Sequence, residues 1–256
     1  MKVLAASNVT VSIGEKQIVR EASLVLNAGE LAALVGPNGA GKTTLMRALA
    51  GLIPAQGAIT LGSKPVESLS PRARACRIAY LPQGHIFHWP MSVESIVMLG
   101  RTPYADAFSS TSPDDRAAVA RAMATTETAM FAERAVTTLS GGEKARVALA
   151  RALATQAPVL LADEPTAALD PRHQLVVMEL LRSAARSGHA ILAIMHDLTL
   201  AARFADRVLV MNEGRIVAEG TSAEALAPER LAAVFGIEAA TVEIGDRRVP
   251  IARRAL

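Results

Sequence analysis

A single cysteine, Cys76, stands in the 256 residues. No disulfide can close within the chain, and a reducing compartment is expected. Aromatic residues are only 3% of the sequence, against 51% hydrophobic residues overall, so the core has to be built from Ala, Leu, Val and Ile. No apolar run approaches the roughly 18 residues that a spanning helix needs. That predicts a soluble chain, though one free to dock on a membrane partner. The N-terminal MKVLAASNVTVSIGEK lacks a long apolar stretch and is expected to be structure, not a signal peptide. Lys and Arg are dispersed, with a formal net charge of +3 and no basic run of the kind that tracks nucleic acid. The short basic tail, Arg247, Arg248, Arg253 and Arg254, is expected to be a solvated surface. There are no repeats and no low-complexity segments. The length suits one large domain or a domain with a sizeable insert.

What is present is a set of four short apolar runs that end alike. Leu31 to Val35 runs into Gly36, Ile78 to Leu81 into Pro82-Gln83, Val159 to Ala162 into Asp163-Glu164, and Ile191 to Met195 into His196-Asp197. Each has the length of a buried strand. Helix-like segments between several of them predict a mostly parallel sheet in an α/β fold. Ligands of such sheets sit beyond the carboxyl ends of the strands, so the four polar termini can converge on one site. Residues 1–30 alternate around Gly14-Glu15-Lys16, which predicts an antiparallel β flank. Residues 85–154 look helical, with Ser112-Pro113-Asp114-Asp115 as a helix start. The tail from Gly220 predicts one or two helices and then a hairpin around Gly245-Asp246. The expected division is 1–84 with 155–219 as a core with its β flank, 85–154 as a helical subdomain and 220–256 as a C-terminal extension.

Gly36, Gly41, Lys42 and Thr43 match G-x-x-x-x-G-K-[ST] in full. Such a loop, here Gly36, Pro37, Asn38, Gly39, Ala40 and Gly41, curls so that successive N–H groups point at a phosphate. A helix beginning near Lys42 adds its positive end. Lys42 supplies a point charge to the β- and γ-phosphates, and the Thr43 hydroxyl can ligate Mg²⁺, with Thr44 following in the same turn. Asp163, after a four-residue apolar run, suits a Mg²⁺-coordinating carboxylate. Glu164, the next residue, is aimed elsewhere by the alternation of the chain and suits a general base toward water.

LSGGE, Leu139 to Glu143, is a second glycine-bearing helix start. Ser140 and Glu143 stand in the capping-box relation, and the glycines leave N–H groups open for a second anion. With this motif the sequence resembles the ATP-binding subunits of ABC transporters, over nearly its whole length and in the family's order: GPNGAGKT, LPQ, LSGGE, LLADEP, AALD, MHD. The resemblance implies a RecA-like P-loop NTPase core with an antiparallel β flank and an α-helical subdomain. It also implies ATP hydrolysis with Mg²⁺. By resemblance Gln83 is the Q-loop glutamine, near Mg²⁺ and the attacking water. Ser140, Gly141 and Gly142 close over ATP held by the other subunit, Asp170 is the D-loop acid at the dimer interface, and His196 is the switch histidine at the γ-phosphate. Two chains head to tail would sandwich two ATP molecules, each between one P-loop and the opposite LSGGE.

Further implied partners are a dimeric integral membrane permease and a periplasmic or surface substrate-binding protein, with the chain peripheral on the cytoplasmic face of the inner membrane. The segment LPQGHIFHWPMSVESIVMLGRTPY and the tail LAPERLAAVFGIEA resemble importers of iron-siderophore, heme and cobalamin. Alternatives are an importer ATPase for another substrate, or a soluble ABC ATPase acting on nucleic acid or ribosomes; the latter usually carries additions and basic patches that this chain lacks. A P-loop kinase or GTPase leaves LSGGE and MHD unexplained. Three positions depart from the family pattern. Ile13 stands where an aromatic often stacks on adenine, Ala145 where Gln is usual, and Ala167-Ala168 where Ser is common before Ala-Leu-Asp. His85 and His88, without a third ligand, make a weak metal site. Trp89 and Met91 are candidates either for receiving a permease helix or for packing within the helical subdomain.

Overall fold

The structure, a computed structural model, describes residues 1–84, 87–105, 111–245 and 247–256. The chain opens with a long hairpin, β1 (Lys2–Ile13) and β2 (Lys16–Asn27), followed by β3 (Leu31–Val35) and α1 (Lys42–Leu49). Next come β4 (Gln56–Leu61), β5 (Lys64–Pro65), α2 (Pro71–Ala75) and β6 (Ile78–Leu81). Three helices follow, α3 (Val93–Met98), α4 (Pro113–Thr125) and α5 (Gly141–Ala154). The chain then returns through β7 (Val159–Asp163), α6 (Pro171–Arg186), β8 (Ala190–Ile194), α7 (Leu198–Phe204), β9 (Arg207–Asn212) and β10 (Arg215–Gly220). It ends in α8 (Ser222–Ala225), α9 (Pro228–Arg230) and the hairpin β11 (Ile237–Ile244) and β12 (Arg247–Ala255).

The six-stranded sheet has the order β10-β9-β3-β8-β7-β6. Its four pairings from β9 to β6 are parallel, and β10 closes one edge antiparallel. Every residue of β3, β7 and β8 is buried, as strands covered on both faces must be. Alternation divides them between two layers: Leu31, Ala33 and Val35 face the cluster containing α5, α6 and α7. Ala32 and Leu34 face α1 and the β flank. That flank is a four-stranded antiparallel sheet, β2-β1-β4-β5. The four strands expected from apolar runs are all present. The flank gains β4 and β5, and the main sheet gains β9 and β10, none of which the apolar runs had indicated.

Among the described residues of the segment 85–154 there are helices, short 3₁₀ turns and one isolated bridge, Ser92 to Ala135. Ser112 caps α4 in a full capping box with Asp115. A third cluster, around Val93, Val97, Val119, Met123 and Val136, holds these helices together. Helix α5 belongs to two clusters: Ala145, Ala148, Leu149 and Ala152 pack toward the sheet, while Val147, Ala150 and Ala154 pack among the other helices. The expected C-terminal hairpin forms with Gly245 at its turn; Asp246 lies outside the described residues. Among the described residues no helix is long and apolar enough to cross a membrane.

Candidate functional site

Parallel strands end together, so the loops after β3, β6, β7 and β8 open on one edge of the sheet. The loop after β3 is strapped in place before any ligand is considered. Gly214 N donates to Ala40 O at 3.0 Å, Ala40 N to Pro37 O at 3.2 Å, and Leu45 N to Gly41 O at 2.8 Å as α1 begins. The glycines answer to this packing. A Cβ on Gly36 would collide with the Met211 carbonyl oxygen of β9, and one on Gly41 would lie 2.8 Å from Ile18 O of β2. Gly41 also adopts φ +100°, open to glycine at little cost.

Lys42, the first residue of α1, is buried. Its Nζ donates to Gly36 O at 2.7 Å and Pro37 O at 2.9 Å, curling back over the loop. Burial pushes its ammonium below the ordinary lysine range, opposed by the nearby Glu164 and Asp163 carboxylates. Thr43 Oγ1 donates to Asp163 Oδ1 at 3.1 Å.

Asp163, the last residue of β7, and Glu164, the first beyond it, engage different partners. Asp163 is 1% exposed. Its second oxygen, Oδ2, accepts from the Tyr80 hydroxyl at 3.0 Å. Burial pushes the Asp163 carboxyl above the usual carboxylate range, against the pull of its Tyr80 and Thr43 hydrogen bonds. Tyr80 is pushed up to about 12, by burial first and by the Asp163 charge next. Tyr80 is a site residue that sequence reasoning missed. Its only local signal is a polar tip within the strand run IAYL, one pairing away from β7.

Glu164 leaves the strand with φ +51°, a left-handed conformation for a residue with a side chain. Its Oε2 accepts from Gln83 Nε2 at 2.6 Å, and its Oε1 meets His196 Nε2 at 2.5 Å. Residues from the ends of β6, β7 and β8 thus converge on one carboxylate. Gln83 joins Glu164, not the Thr43–Asp163 pair. His196 is set just ahead of α7, whose cap Asp197 accepts from Leu200 N at 2.9 Å.

Ser140 caps α5 in the expected capping box, accepting from Glu143 N at 3.3 Å while its own N–H donates to Glu143 Oε2 at 2.8 Å. Asp170 caps α6, accepting from His173 N at 3.0 Å and meeting His173 Nδ1 at 2.6 Å. The His173 amide, then its ring, hold Asp170 below the usual carboxylate range. Among the described residues no hydrogen bond or ion pair joins Ser140, Gly141, Gly142 or Asp170 to the loop 36–44. Two groups of polar residues therefore exist in one chain without meeting.

The three departures have plain places. Ile13 is 62% exposed at the end of β1, Ala145 is buried against the sheet, and Ala168 takes φ +57° before Asp170. Met91 packs against the helical cluster, whereas Trp89 is 75% exposed. His85 lies outside the described residues, and among those described no three His, Cys, Asp or Glu side chains gather as a metal site.

Residues 8–167 match the family model described as ABC transporter. The chain is 48% identical over 232 residues to the hemin import ATP-binding protein of Streptomyces coelicolor, covering 90% of this chain and 82% of that protein. It is 43% identical over 234 residues to the cobalamin import ATP-binding protein of Halobacterium salinarum, covering 91% of this chain and 58% of the relative. Among solved structures it resembles a chain described as part of an inward-facing, metal-chelate type ABC transporter. There the TM-score is 0.85 at 25% identity, over 99% of this chain and 98% of that one.

Proposed function

The chain belongs to the ABC transporter ATP-binding family, and from that premise we propose that it is the ATP-hydrolysing subunit of an importer for a metal chelate, of the iron-siderophore, heme or cobalamin class. The observation that carries the mechanism is the convergence at one sheet edge of a lysine-capped glycine loop, a Thr43–Asp163 pair and a Glu164 carboxylate held by Gln83 and His196.

In this reading Lys42 exchanges its loop carbonyls for the β- and γ-phosphate oxygens, and the dipole of α1 adds to the attraction. The oxygen donors Thr43 and Asp163 are the hard ligands that Mg²⁺ prefers, and the Gln83 amide carbonyl would add a third once its side chain leaves Glu164. Asp163 fits further, because a buried carboxylate held above its ordinary pKa gains from a neighbouring cation. When bound, Mg²⁺ neutralises charge on the phosphate oxygens. Glu164 accepts a proton from the attacking water, and Gln83 and His196 orient its two oxygens. Bound ATP is then shared between Lys42 of one copy and Ser140, Gly141 and Gly142 of another, with Asp170 at the same interface, in a head-to-tail dimer. Closure of that dimer drives a membrane permease dimer, fed by a substrate-binding protein, and the subunit sits on the cytoplasmic face of the membrane. Residues 85–154 would be the helical subdomain, 1–84 with 155–219 the core and its flank, and 220–256 the extension. Selection of the chelate belongs to the permease and binding protein.

Cysteines placed at Asn38 and Ser140, with Cys76 replaced, test the dimer. With ATP and Mg²⁺ under non-hydrolysing conditions they are expected to cross-link two chains. Cross-links confined to one chain would refute the sandwich. Failure to copurify with any membrane permease, under conditions that preserve such complexes, would refute the importer assignment.

A further inference from the structure

We propose that His173 is a positioning residue that ties the LSGGE loop to the Asp170 loop within one chain, so that both parts of the face offered to a second copy move together; this rests on the head-to-tail reading above. His173 is the third residue of α6. Its backbone N–H and its Nδ1 both engage the Asp170 carboxylate, at 3.0 Å and 2.6 Å, so the ring is folded back over the start of its own helix. The opposite edge of the ring lies against Gly142 of α5. A Cβ on Gly142 would fall 2.6 Å from His173 Nε2 and closer still to two ring carbons. The ring cannot simply swing away, because the Asp170 contact fixes it.

The two glycines of LSGGE therefore have different reasons to be glycine. A Cβ on Gly141 would meet nothing within 4 Å, so that position is open toward a partner. Gly142 has given its side-chain space to the imidazole. Glycine is a weak helix former, and in this first turn of α5 the lost propensity is exchanged for contact between two helices far apart in sequence. The Asp170–His173–Gly142 chain joins the N-termini of α6 and α5. The loop containing Ser140 cannot move toward Asp170 without displacing the ring, and a displaced ring loses its Asp170 contact.

The test uses the full-length chain carrying Glu164→Gln, in which ATP-dependent dimerisation can be followed without turnover. His173→Ala is expected to raise the concentration needed for ATP-dependent dimerisation about tenfold, the scale of one charge-assisted hydrogen bond. In the Glu164-intact chain it is expected to lower kcat by a similar factor. Binding of a fluorescent ATP analogue to the monomer should change less than about twofold on the same scale. Gly142→Ala alone should also impair dimerisation, by pushing the ring off Asp170. The double variant Gly142→Ala/His173→Ala should recover part of that loss, because the methyl group then enters vacated space. Wild-type dimerisation by His173→Ala would overturn the proposal, as would an equal loss of monomer nucleotide binding. A Gly142→Ala defect that the second substitution fails to relieve would also overturn it. Absence of any ATP-dependent dimer in the Glu164→Gln parent would sink the head-to-tail reading itself, and the proposal with it.

Discussion

Tyr80→Phe removes the hydroxyl's bond to the buried Asp163 carboxylate, together with its contact to Arg47, and pH separates the two because only the first involves a carboxylate. Phenylalanine fills the same ring volume and removes only the hydroxyl that donates to Asp163 Oδ2 at 3.0 Å. Water cannot readily replace it, since Asp163 is 1% exposed. A hydrogen bond to a charged group is worth roughly 1.5–3 kcal/mol. For a chain of this size each kcal/mol moves Tm by about 2–4 °C, so a fall of roughly 3–12 °C is expected at neutral pH. The pH dependence identifies the partner. The Asp163 carboxyl is already raised in the folded state, so its ionisation costs stability as pH rises through that raised value. Loss of the Tyr80 bond raises it further, so the penalty grows as pH rises through the folded-state values of the two proteins. Below the ordinary carboxylate range Asp163 is protonated in both states, and the penalty should shrink toward the roughly 0.5–1.5 kcal/mol of a neutral bond. Urea unfolding of both proteins across a pH series, without nucleotide, measures this. A difference that stays constant from neutral to acid pH, or is absent at neutral pH, would refute the pairing of Tyr80 with an ionised Asp163.

Glu164→Gln should bind ATP and lose nearly all hydrolysis, because it keeps the shape between Gln83 and His196 and removes the base; turnover at the wild-type rate would end that assignment. Lys42→Ala should weaken nucleotide affinity at least about tenfold, since the phosphates lose a direct charge partner, and a titration showing unchanged affinity and turnover would remove the phosphate cradle. Gly36→Ala should destabilise the fold itself by about 1–3 kcal/mol through overpacking against the Met211 carbonyl. Its urea midpoint should drop with no nucleotide present, and an unchanged midpoint would show that the loop does not pack beneath β9.

The inner strands β3, β7 and β8 were legible because burial on both faces leaves uninterrupted apolar runs in the sequence. So was the convergence of their polar ends, which follows from parallel pairing. Strand β9 carries an apolar run, Val208 to Met211, as long as that of β6; what sets it apart is that it ends in the tight turn Glu213-Gly214 to an antiparallel partner, not in a site residue. Strand β4 is half exposed and carries Gly57, which sits hard against the carbonyl oxygens of Ser7 and Asn8. Within the site, Lys42, Thr43 and Asp163 could be named from spacing. Tyr80 could not, because its partner is 83 positions away and is set by the register of β6 on β7. Gly142 was named from LSGGE, but its contact with His173 was hidden for the same reason. Local sequence explains why a helix starts at Ser140, but not what occupies the space beside its second glycine.

Helix α5 has one flank in the sheet's core and the other among the helices of the 85–154 segment. Its 14 residues make a rod about 21 Å long. A tilt of about 10° pivoting at its Ala154 end would sweep the Ser140 end through roughly 4 Å, more than the length of a hydrogen bond. Ala154, packed among the neighbouring helices, would be the fulcrum of such a tilt, and Ser140 the tip of its load arm. Such a tilt would couple the helices packed along the rod to its Ser140 end, a small displacement beside Ala154 becoming a larger one at the tip.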